Sequence, residues 1–343
     1  MSQHKFSRPE YHFTVQKGWL NDPNGLIRLG NDYHMFFQHN PSAPDWGNMH
    51  WGHAVSSDLL HWKELPVALK PKSSEDLCFS GSAILDTENA SGFGSRENPP
   101  LLVYFTSTGR GECLAYSLDG GMTFREYEHN PVIRHNGRDP RVIQYAPGHY
   151  VIAVYDEVNH IAFYRSSDLK NWTFCSRIHG FYECPELFQL GGRWVLFAGN
   201  GVYSIGRFDG ETFTPETFPR PLFEGDAYAG QTFANCDRRI AIFWMRDRKG
   251  IFREQGFSQQ MSIPVELTMK EERILVNPAV EVPGSYVLSS PDRPVTIRGV
   301  ELPAAEEILV VEDTATVEAF INHGERCILR YATEPLDPSL HRK

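Results

Sequence analysis

The chain has 343 residues, enough for one large all-β unit or for a large unit followed by a small one. It carries 33 basic and 43 acidic residues, a formal charge of −10, and has no long run of like charge. This balance argues against a nucleic acid or an anionic membrane as partner and favours a small soluble substrate. Aromatic residues make up 13% of the chain, which suits β-strands and ring-lined binding pockets.

The cysteines and the N-terminal residues bear on the cell compartment. The six cysteines form no C-x-x-C pair and no metal-like spacing, so we expect reduced thiols and no metal site. The N-terminal residues MSQHKFSRPEYHF lack the apolar stretch of a secretory signal, and no later apolar run is long enough to span a bilayer. We therefore expect a cytoplasmic protein, unless a processed leader precedes this sequence.

Short strands separated by turns are predicted from residue 10 to residue 260. Apolar or alternating runs are divided by clusters of Gly, Pro, Asn and Asp, and each run is too short for a helix. The clearest runs, in chain order, are Tyr33 to Phe37, Leu101 to Ser107, Tyr150 to Tyr155, Trp194 to Ala198 and Ile240 to Met245. Their β-branched and aromatic residues favour strands, so the sequence predicts an all-β fold.

A weak internal repeat indicates how these strands are grouped. A small residue, an Asp and a following aromatic recur around Asp58, Asp119 and Asp168, and Asp209 before Phe213 resembles a fourth copy. The spacing is comparable to the four-stranded blade of a β-propeller. In such a blade the Asp would form a turn at a strand end, and the aromatic would pack under the next blade. Ordinary strand-turn-strand segments are the alternative.

The pattern of apolar and polar residues in the sequence changes after Pro264. The segments VELTMKEERILVNPAVEV and EEILVVEDTATVEAFINHGERCILRY are typical of alternating strands with their own turns. We therefore predict two domains, residues 1–261 and a small β unit at residues 262–343.

Three acidic motifs are candidates for the chemistry. Asp22 lies in the turn-forming segment Asn21 to Gly25, Asp139 lies in Arg-Asp-Pro, and Glu183 lies in Glu-Cys-Pro-Glu. Neighbouring amide groups in the first motif could keep Asp22 ionised, and a following proline biases an acidic residue toward extended backbone. Each motif taken alone is also an ordinary turn or a surface charge. Together, on the inner strands of successive blades, they would converge on one axial funnel.

Several motifs occur in this order along the chain: WLNDPNG, FSGSA, RDP and ECPEL, together with FFQHNP, WGHAVS, DAYA, QTF and FWM. In these motifs the sequence resembles glycoside hydrolase family 32, the group of invertases, levanases and exo-inulinases. The resemblance runs from about residue 12 to residue 270. The resemblance implies a five-bladed β-propeller with the active site at one end of its axis.

The resemblance also implies roles for individual residues. Asp22 would be the nucleophile, Glu183 the general acid and base, and Asp139 the transition-state stabiliser. The pocket around the fructosyl unit would be lined by Asn21, Gln38, Trp46, Phe79, Ser80, Arg138, Tyr228 and Trp244. Core packing or turn formation is the alternative for each lining residue, and no metal or organic cofactor is required.

These roles set physical requirements. A retaining glycosidase needs two carboxyl groups roughly 5–5.5 Å apart, one ionised to attack the anomeric carbon and one protonated to assist the leaving group. Hydrogen bonds should therefore hold the pKa of Asp22 low. Arg138 could keep Asp139 ionised, so that its negative charge stabilises an oxocarbenium-like transition state.

The C-terminal part resembles the family less closely, because only 82 residues remain from residue 262 onward. Segments 262–267 and 317–322 resemble the first and late strands of the family's β-sandwich, so we expect a shortened sandwich. The surface that it leaves uncovered makes a homodimer plausible. A strictly monomeric particle in light scattering would contradict this expectation.

Several functions remain open at this stage. The first is hydrolysis of sucrose and short fructo-oligosaccharides with retention of configuration. Fructosyl transfer would use the same site, and a phosphorylated sucrose would fit if the basic residues Arg246, Arg248, Lys249 and Arg253 bind phosphate rather than form a solvated cluster. A sugar-binding propeller without turnover is the alternative from another class, although it has no need of a nucleophile paired with an acid.

Overall fold

The computed structural model describes residues 6–336, whose regular secondary structure is β-strand apart from one short 3-10 helix at Arg253–Gln255. The outer ends of the two predicted domains, residues 1–5 and 337–343, lie outside the described residues. Across residues 6–336, no helix combines the length and apolar character needed to cross a membrane. The all-β prediction is confirmed.

Five sheets of four antiparallel strands follow one another along the chain, and each is named here as a blade. Blade 1 holds β1 (Gly18–Leu29), β2 (Asp32–Asn40), β3 (His50–Ser56) and β4 (Lys63–Leu69), and blade 2 holds β5 (Cys78–Leu85), β6 (Leu101–Ser107), β7 (Gly111–Ser117) and β8 (Arg125–Glu126). Blade 3 holds β9 (Arg138–Ala146), β10 (His149–Asp156), β11 (His160–Ser166) and β12 (Thr173–His179), and blade 4 holds β13 (Glu186–Leu190), β14 (Arg193–Phe197), β15 (Val202–Phe208) and β16 (Phe213–Pro215).

The short strands β17 (Arg220–Pro221) and β18 (Glu224–Gly225) precede the last blade. Blade 5 holds β19 (Ala227–Thr232), β20 (Ile240–Met245), β23 (Val265–Lys270) and β24 (Arg273–Pro278), and the short β21 (Phe257–Ser258) and β22 (Gln260–Met261) lie between its second and third strands.

The blades close into a ring. Their first strands, β1, β5, β9, β13 and β19, contact one another in cyclic order, and β19 returns to β1. The ring is also joined by β21, which pairs in parallel with β1 between Phe257 and Gly18. A ring of five four-stranded sheets around a common axis is a five-bladed β-propeller, as expected.

The five predicted apolar runs all fall on the second strand of a blade. Each overlaps β2, β6, β10, β14 or β20. A second strand lies between neighbouring strands of its own sheet and between adjacent blades, so both of its faces are buried; every residue of β6 is buried. Burial on both faces explains why these strands form nearly continuous apolar runs rather than alternating ones.

The repeated aspartates form the turn between the third and fourth strands of blades 1 to 4. Asp168 Oδ1, for example, accepts backbone N–H groups of Lys170 at 3.0 Å and Asn171 at 2.8 Å. The expectation that the aromatic packs under the next blade is wrong, because it packs on the preceding one. The ring of Trp172 in blade 3 lies 5.6 Å from that of Tyr104 in blade 2.

The C-terminal unit contains one five-stranded sheet and a hairpin. Its strands are β25 (Tyr286–Ser289), β26 (Val295–Ile297), β27 (Val300–Leu302), β28 (Glu307–Glu312), β29 (Thr316–Ile321) and β30 (Arg326–Tyr331). The sheet order is β18-β30-β29-β28-β25, so β18 of the propeller forms one edge, and the hairpin β26-β27 packs on the sheet through Val300 and Leu302. This is a β-sandwich reduced to a sheet and a hairpin.

The last blade extends beyond residue 261. Val265 and Glu266 of β23 pair with Ala241 and Ile240 of β20, so segment 262–267 leads into and begins a strand of blade 5 and not the first strand of a sandwich. The segment resembles a sandwich strand because any half-buried outer strand has the same alternation of buried and exposed residues. We propose that the propeller runs to Pro278 and that the small unit begins after it.

A buried ion network attaches the C-terminal unit to the N-terminal segment. The His12 ring lies between two carboxylates, 2.9 Å from Asp313 and 3.0 Å from Glu318, and all three side chains are buried. These two carboxylates raise the pKa of His12 to about 10 despite its burial. Nearby, the Phe13 carbonyl accepts the Met261 N–H, so the same segment is also joined to the propeller.

Candidate active site

The first strands of the blades bring the three predicted carboxylates together at one end of the axis. Asp22 lies in β1, Asp139 lies near the start of β9, and Glu183 comes shortly before β13. Cys184 joins the first two, since its Sγ is 3.6 Å from Asp22 Oδ2 and 3.5 Å from Asp139 Oδ2. Its backbone N–H also donates to Asp139 Oδ2 at 3.2 Å.

The backbone is irregular where these side chains leave it. Asp139, Glu183 and Cys184 have φ angles of 66°, 54° and 40°, in the left-handed region that non-glycine residues rarely adopt. The expectation that Pro140 keeps Asp139 extended is therefore wrong. The Asp139 N–H donates to Thr106 Oγ1 at 2.9 Å, and the Glu183 carbonyl accepts the Gly199 N–H at 2.9 Å. These contacts hold the strained turns in place, as is common at active sites.

Asp22 accepts a hydrogen bond from a residue of blade 2. The Ser80 hydroxyl donates to Asp22 Oδ2 at 2.6 Å, and Asn21 is a second hydrogen-bonding partner. Even so, the pKa of Asp22 lies above its ordinary value, because burial and the charge of Glu183 outweigh these hydrogen bonds. The expectation of a low pKa is therefore wrong for the free pocket.

Glu183 accepts hydrogen bonds from residues of blades 3 and 5. The Tyr228 hydroxyl donates to Glu183 Oε2 at 2.6 Å, and the Arg138 guanidinium donates to Oε1. Arg138 also lies 3.7 Å from Asp139 and stacks over the ring of Tyr155 at 4.9 Å. One guanidinium thus contacts two of the three carboxylates.

Asp139 has a strongly shifted pKa. Its side chain is 7% exposed, and burial together with the charge of Asp22 raises its pKa to about 7, although Arg138 opposes the shift. Close carboxyl groups that resist ionising together titrate as a set. The free pocket therefore keeps a proton within its carboxyl cluster up to about neutral pH.

Two groups of aromatic side chains, called here the aromatic rim, include neighbours of the residues that hold the carboxylates. Trp46 is 57% exposed, and its ring lies 6.0 Å from that of Phe79, which precedes Ser80. The ring of Trp244 lies 6.2 Å from those of Trp19 and Tyr228. Such surfaces stack well on the apolar faces of sugars.

The predicted pocket residues differ in how closely they approach the carboxylates. Asn21, Ser80, Arg138 and Tyr228 bond them directly. Trp244 packs on Tyr228, and Trp46 packs on Phe79, the neighbour of Ser80 in the chain. Gln38 is 2% exposed and donates to the Cys78 carbonyl at 3.1 Å, so it bridges blades 1 and 2; within residues 6–336 its side chain makes no hydrogen bond to a carboxylate.

Two residues of the site escaped the sequence analysis. The sequence predicts only a free thiol for Cys184, although its position directly after Glu183 indicates a place in the site. Thr106 lies at the end of an apolar strand, and nothing in its local sequence distinguishes it from a core threonine.

Paired carboxyl groups in a pocket with an aromatic rim are the features of a glycosidase site. The known proteins that this chain resembles agree. The sequence profile of the glycosyl hydrolases family 32 N-terminal domain matches residues 12–278. The chain belongs to glycoside hydrolase family 32.

Individual relatives agree with this assignment. The levanase of Bacillus subtilis (strain 168) is 36% identical over 304 residues, which cover 77% of this chain and 45% of the levanase. The sucrose-6-phosphate hydrolase of Zymomonas mobilis is 34% identical over 331 residues, which cover 80% of this chain and 62% of that protein. The chain spans about half the length of the levanase, exo-inulinases and invertases that it matches.

A solved structure matches over almost the whole chain. The exo-inulinase of Aspergillus awamori superposes with a TM-score of 0.85 and 25% sequence identity, covering 97% of this chain and 94% of the other.

Proposed function

We propose that this protein releases terminal β-linked fructosyl units from sucrose and short fructo-oligosaccharides with retention of configuration. Asp22 attacks the anomeric carbon, and Glu183 gives its proton to the leaving oxygen. Water then cleaves the fructosyl-enzyme ester while Glu183 accepts a proton from that water. Asp139 holds the sugar and stabilises the positive charge that develops on it.

The single observation that carries this proposal is the pair of separate hydrogen-bond sets around Asp22 and Glu183. Ser80 and Cys184 hold Asp22, whereas Tyr228 and Arg138 hold Glu183. Two carboxyl groups that are fixed independently can take different roles in one bond cleavage. A sugar-binding protein without turnover gains nothing from this arrangement.

Burial and neighbouring charge raise the pKa values of both Asp22 and Asp139, that of Asp139 to about 7. The attack on the anomeric carbon requires Asp22 to be ionised. We propose that the hydroxyl groups of a bound fructosyl unit donate hydrogen bonds that favour the ionised form of Asp22.

The decisive experiment replaces Asp22 with asparagine. We expect Asp22→Asn to lower kcat for sucrose by at least about 10³-fold, because the amide cannot form the covalent ester. Asp119→Asn, which changes an aspartate of a turn in blade 2, is the matched control and should keep its activity. Equal activity of the two variants would overturn the assigned roles.

A phosphorylated sucrose is a second candidate substrate. The Arg246 guanidinium lies 4.4 Å from the ring centroid of Tyr228, which itself contacts Glu183. Arg253, by contrast, is paired with Asp45. The Zymomonas mobilis relative, named for sucrose-6-phosphate, makes this substrate worth testing.

Comparing kcat/KM for sucrose and for sucrose 6-phosphate tests this second candidate. If Arg246 binds the phosphate, Arg246→Gln should reduce kcat/KM for the phosphorylated substrate about 10-fold and leave sucrose unchanged. No preference of the unmodified protein for the phosphate would eliminate the idea. Product analysis at high sucrose concentration separates hydrolysis from fructosyl transfer.

The homodimer and the cytoplasmic location stay predictions. An edge strand of the C-terminal sheet, β25, carries Val287 with 50% of its surface exposed, and such an edge is a plausible contact between copies.

A further inference from the structure

The axial channel of the propeller has a second mouth, opposite the carboxylates. Early residues of the first strands, such as Asp22 and Asp139, meet at the active-site end, whereas later residues of the same strands line a separate cavity of about 330 Å³. From Asp139 to Tyr145 the strand β9 runs about 20 Å, at about 3.3 Å per residue. The cavity therefore lies at the far end of the channel.

The second mouth is positively charged. Its lining contains Arg141 of blade 3 and Arg239 of blade 5 and no aspartate or glutamate. Deeper in the channel, Glu186 pairs with Arg141 at 3.1 Å and also accepts from the Thr232 hydroxyl at 2.7 Å. One carboxylate thus faces two guanidinium groups, which leaves an excess of positive charge.

Within the described part of the chain, each arginine has a buried N–H donor without a hydrogen-bond partner. Arg141 is 3% exposed, and among residues 6–336 its Nη1 has no hydrogen-bond partner. The same holds for Arg239 Nε, while Arg239 Nη2 approaches the Gln189 carbonyl at 3.5 Å. Burial and then the charge of Arg141 lower the pKa of Arg239, so the two cations are close enough to repel one another. A dianion between them would remove this repulsion.

The rest of the cavity suits a sugar. The rings of Tyr145 and Trp194 are stacked 5.7 Å apart and form one wall, on which a pyranose face could pack. Gln144, Gln189 and Asn235 also line the cavity, and amide side chains of this kind can bond hydroxyl groups.

We propose that this second mouth binds a small phosphorylated sugar, with its phosphate between Arg141 and Arg239 and its ring against Tyr145 and Trp194. This site is separate from the proposed site of fructoside cleavage. The proposal does not depend on that function.

Calorimetric titration with glucose 6-phosphate tests the proposal, with inorganic phosphate and glucose as further probes. Glucose 6-phosphate contains no fructosidic bond, so the proposed cleavage reaction cannot consume it. We expect saturable binding of glucose 6-phosphate, weaker binding of inorganic phosphate and none of glucose. Absence of glucose 6-phosphate binding at concentrations up to about 10 mM would overturn the proposal.

Variants locate the bound molecule. Arg239→Gln should weaken glucose 6-phosphate binding about 10-fold or more, because it removes a charged donor. Gln189→Glu, a nearly isosteric change of an exposed side chain, should also weaken binding, because it adds a negative charge to a residue that lines the cavity. It tests the site even if Arg239→Gln fails to fold. Arg246→Gln changes an arginine at the active-site end and should leave binding unchanged. Loss of binding in Arg246→Gln alone would assign the phosphate to the active-site rim and contradict the proposal.

Discussion

The two ends of the axial channel are built from the same strands but differ in charge and in backbone regularity. At the end where the first strands begin, Asp22, Asp139 and Glu183 meet, and two of the three have positive φ angles. At the other end, Arg141 and Arg239 lie where β9 has become regular and where blade 5 turns between β19 and β20. Asp139 and Arg141 are only two residues apart. Two of the three carboxylates leave strained backbone, whereas Arg141, two residues after Asp139, lies in regular strand and pairs with the buried Glu186. The contrast teaches that one strand can present different chemistry at its two ends.

The Glu-Cys-Pro-Glu motif offers the sharpest test of this contrast. Glu183→Gln should lower kcat by about 10² to 10⁴-fold with little change in stability, because it removes the proposed proton donor. Glu186→Gln should instead lower the free energy of unfolding by about 3 kcal/mol, because it leaves Arg141 buried without a counter-charge. Sucrose turnover and urea unfolding of both variants measure these effects.

The contrast would fail if the two glutamine variants behaved alike. A stable, fully active Glu186→Gln protein would mean that the ion network contributes little. If the Glu183→Gln protein failed to fold, Glu183 would be needed for stability as well as for turnover.

The raised pKa of Asp139 predicts a pH dependence of stability. A carboxyl whose folded pKa is about 7, above its unfolded value, binds its proton more tightly in the folded state. Its contribution is therefore fully present at low pH and is lost as the pH rises from about 4 to about 7. Asp139→Asn, which cannot ionise, should lack this part of the decline in urea stability.

The matched control for this experiment is Asp168→Asn. The turn hydrogen bonds of Asp168 lower its pKa to about 2, so this residue contributes no change between pH 4 and pH 7. Parallel stability curves for Asp139→Asn and the unmodified protein over that range would contradict the assignment.

A smaller effect is expected from replacing Thr106, which hydrogen-bonds the backbone of Asp139. Its hydroxyl accepts the Asp139 N–H at 2.9 Å and donates to the buried Glu112 at 2.8 Å. Thr106→Val keeps the shape but leaves both partners unsatisfied, so we expect a loss of about 1–3 kcal/mol in unfolding free energy. The kcat should also fall several-fold, because the Asp139 backbone loses its hydrogen bond to Thr106.

Thr106→Ser retains the hydroxyl and should restore both stability and kcat. If the serine variant were as impaired as the valine variant, the methyl group and not the hydrogen bonds would be the important feature.

Much of the architecture was predictable, because burial leaves a regular trace in the sequence. The second strands are enclosed on both faces and therefore form apolar runs, and the turn aspartates recur because each accepts two backbone N–H groups. The limit of blade 5 was not predictable, since β23 has the same alternation as a strand of a small separate sheet.

The candidate site was predictable in its residues but less so in its electrostatics. Short motifs identify Asp22, Asp139 and Glu183, and four of the predicted lining residues bond them directly. The pKa of Asp22 depends on burial and on Glu183, 161 positions away in the sequence, so local hydrogen bonds gave the wrong direction. The role of Cys184 likewise depends on contacts between blades.

The pairing of β21 with β1 also constrains how the protein is made. During synthesis the first strand of blade 1 leaves the ribosome early, but its partner at Phe257 emerges about 240 residues later. At about 5–20 residues per second, Asp22 waits at least about 12 seconds for the ring to close around it. The nascent chain therefore completes this pocket only after Phe257 has been made, and truncation before Phe257 leaves the ring without this closure.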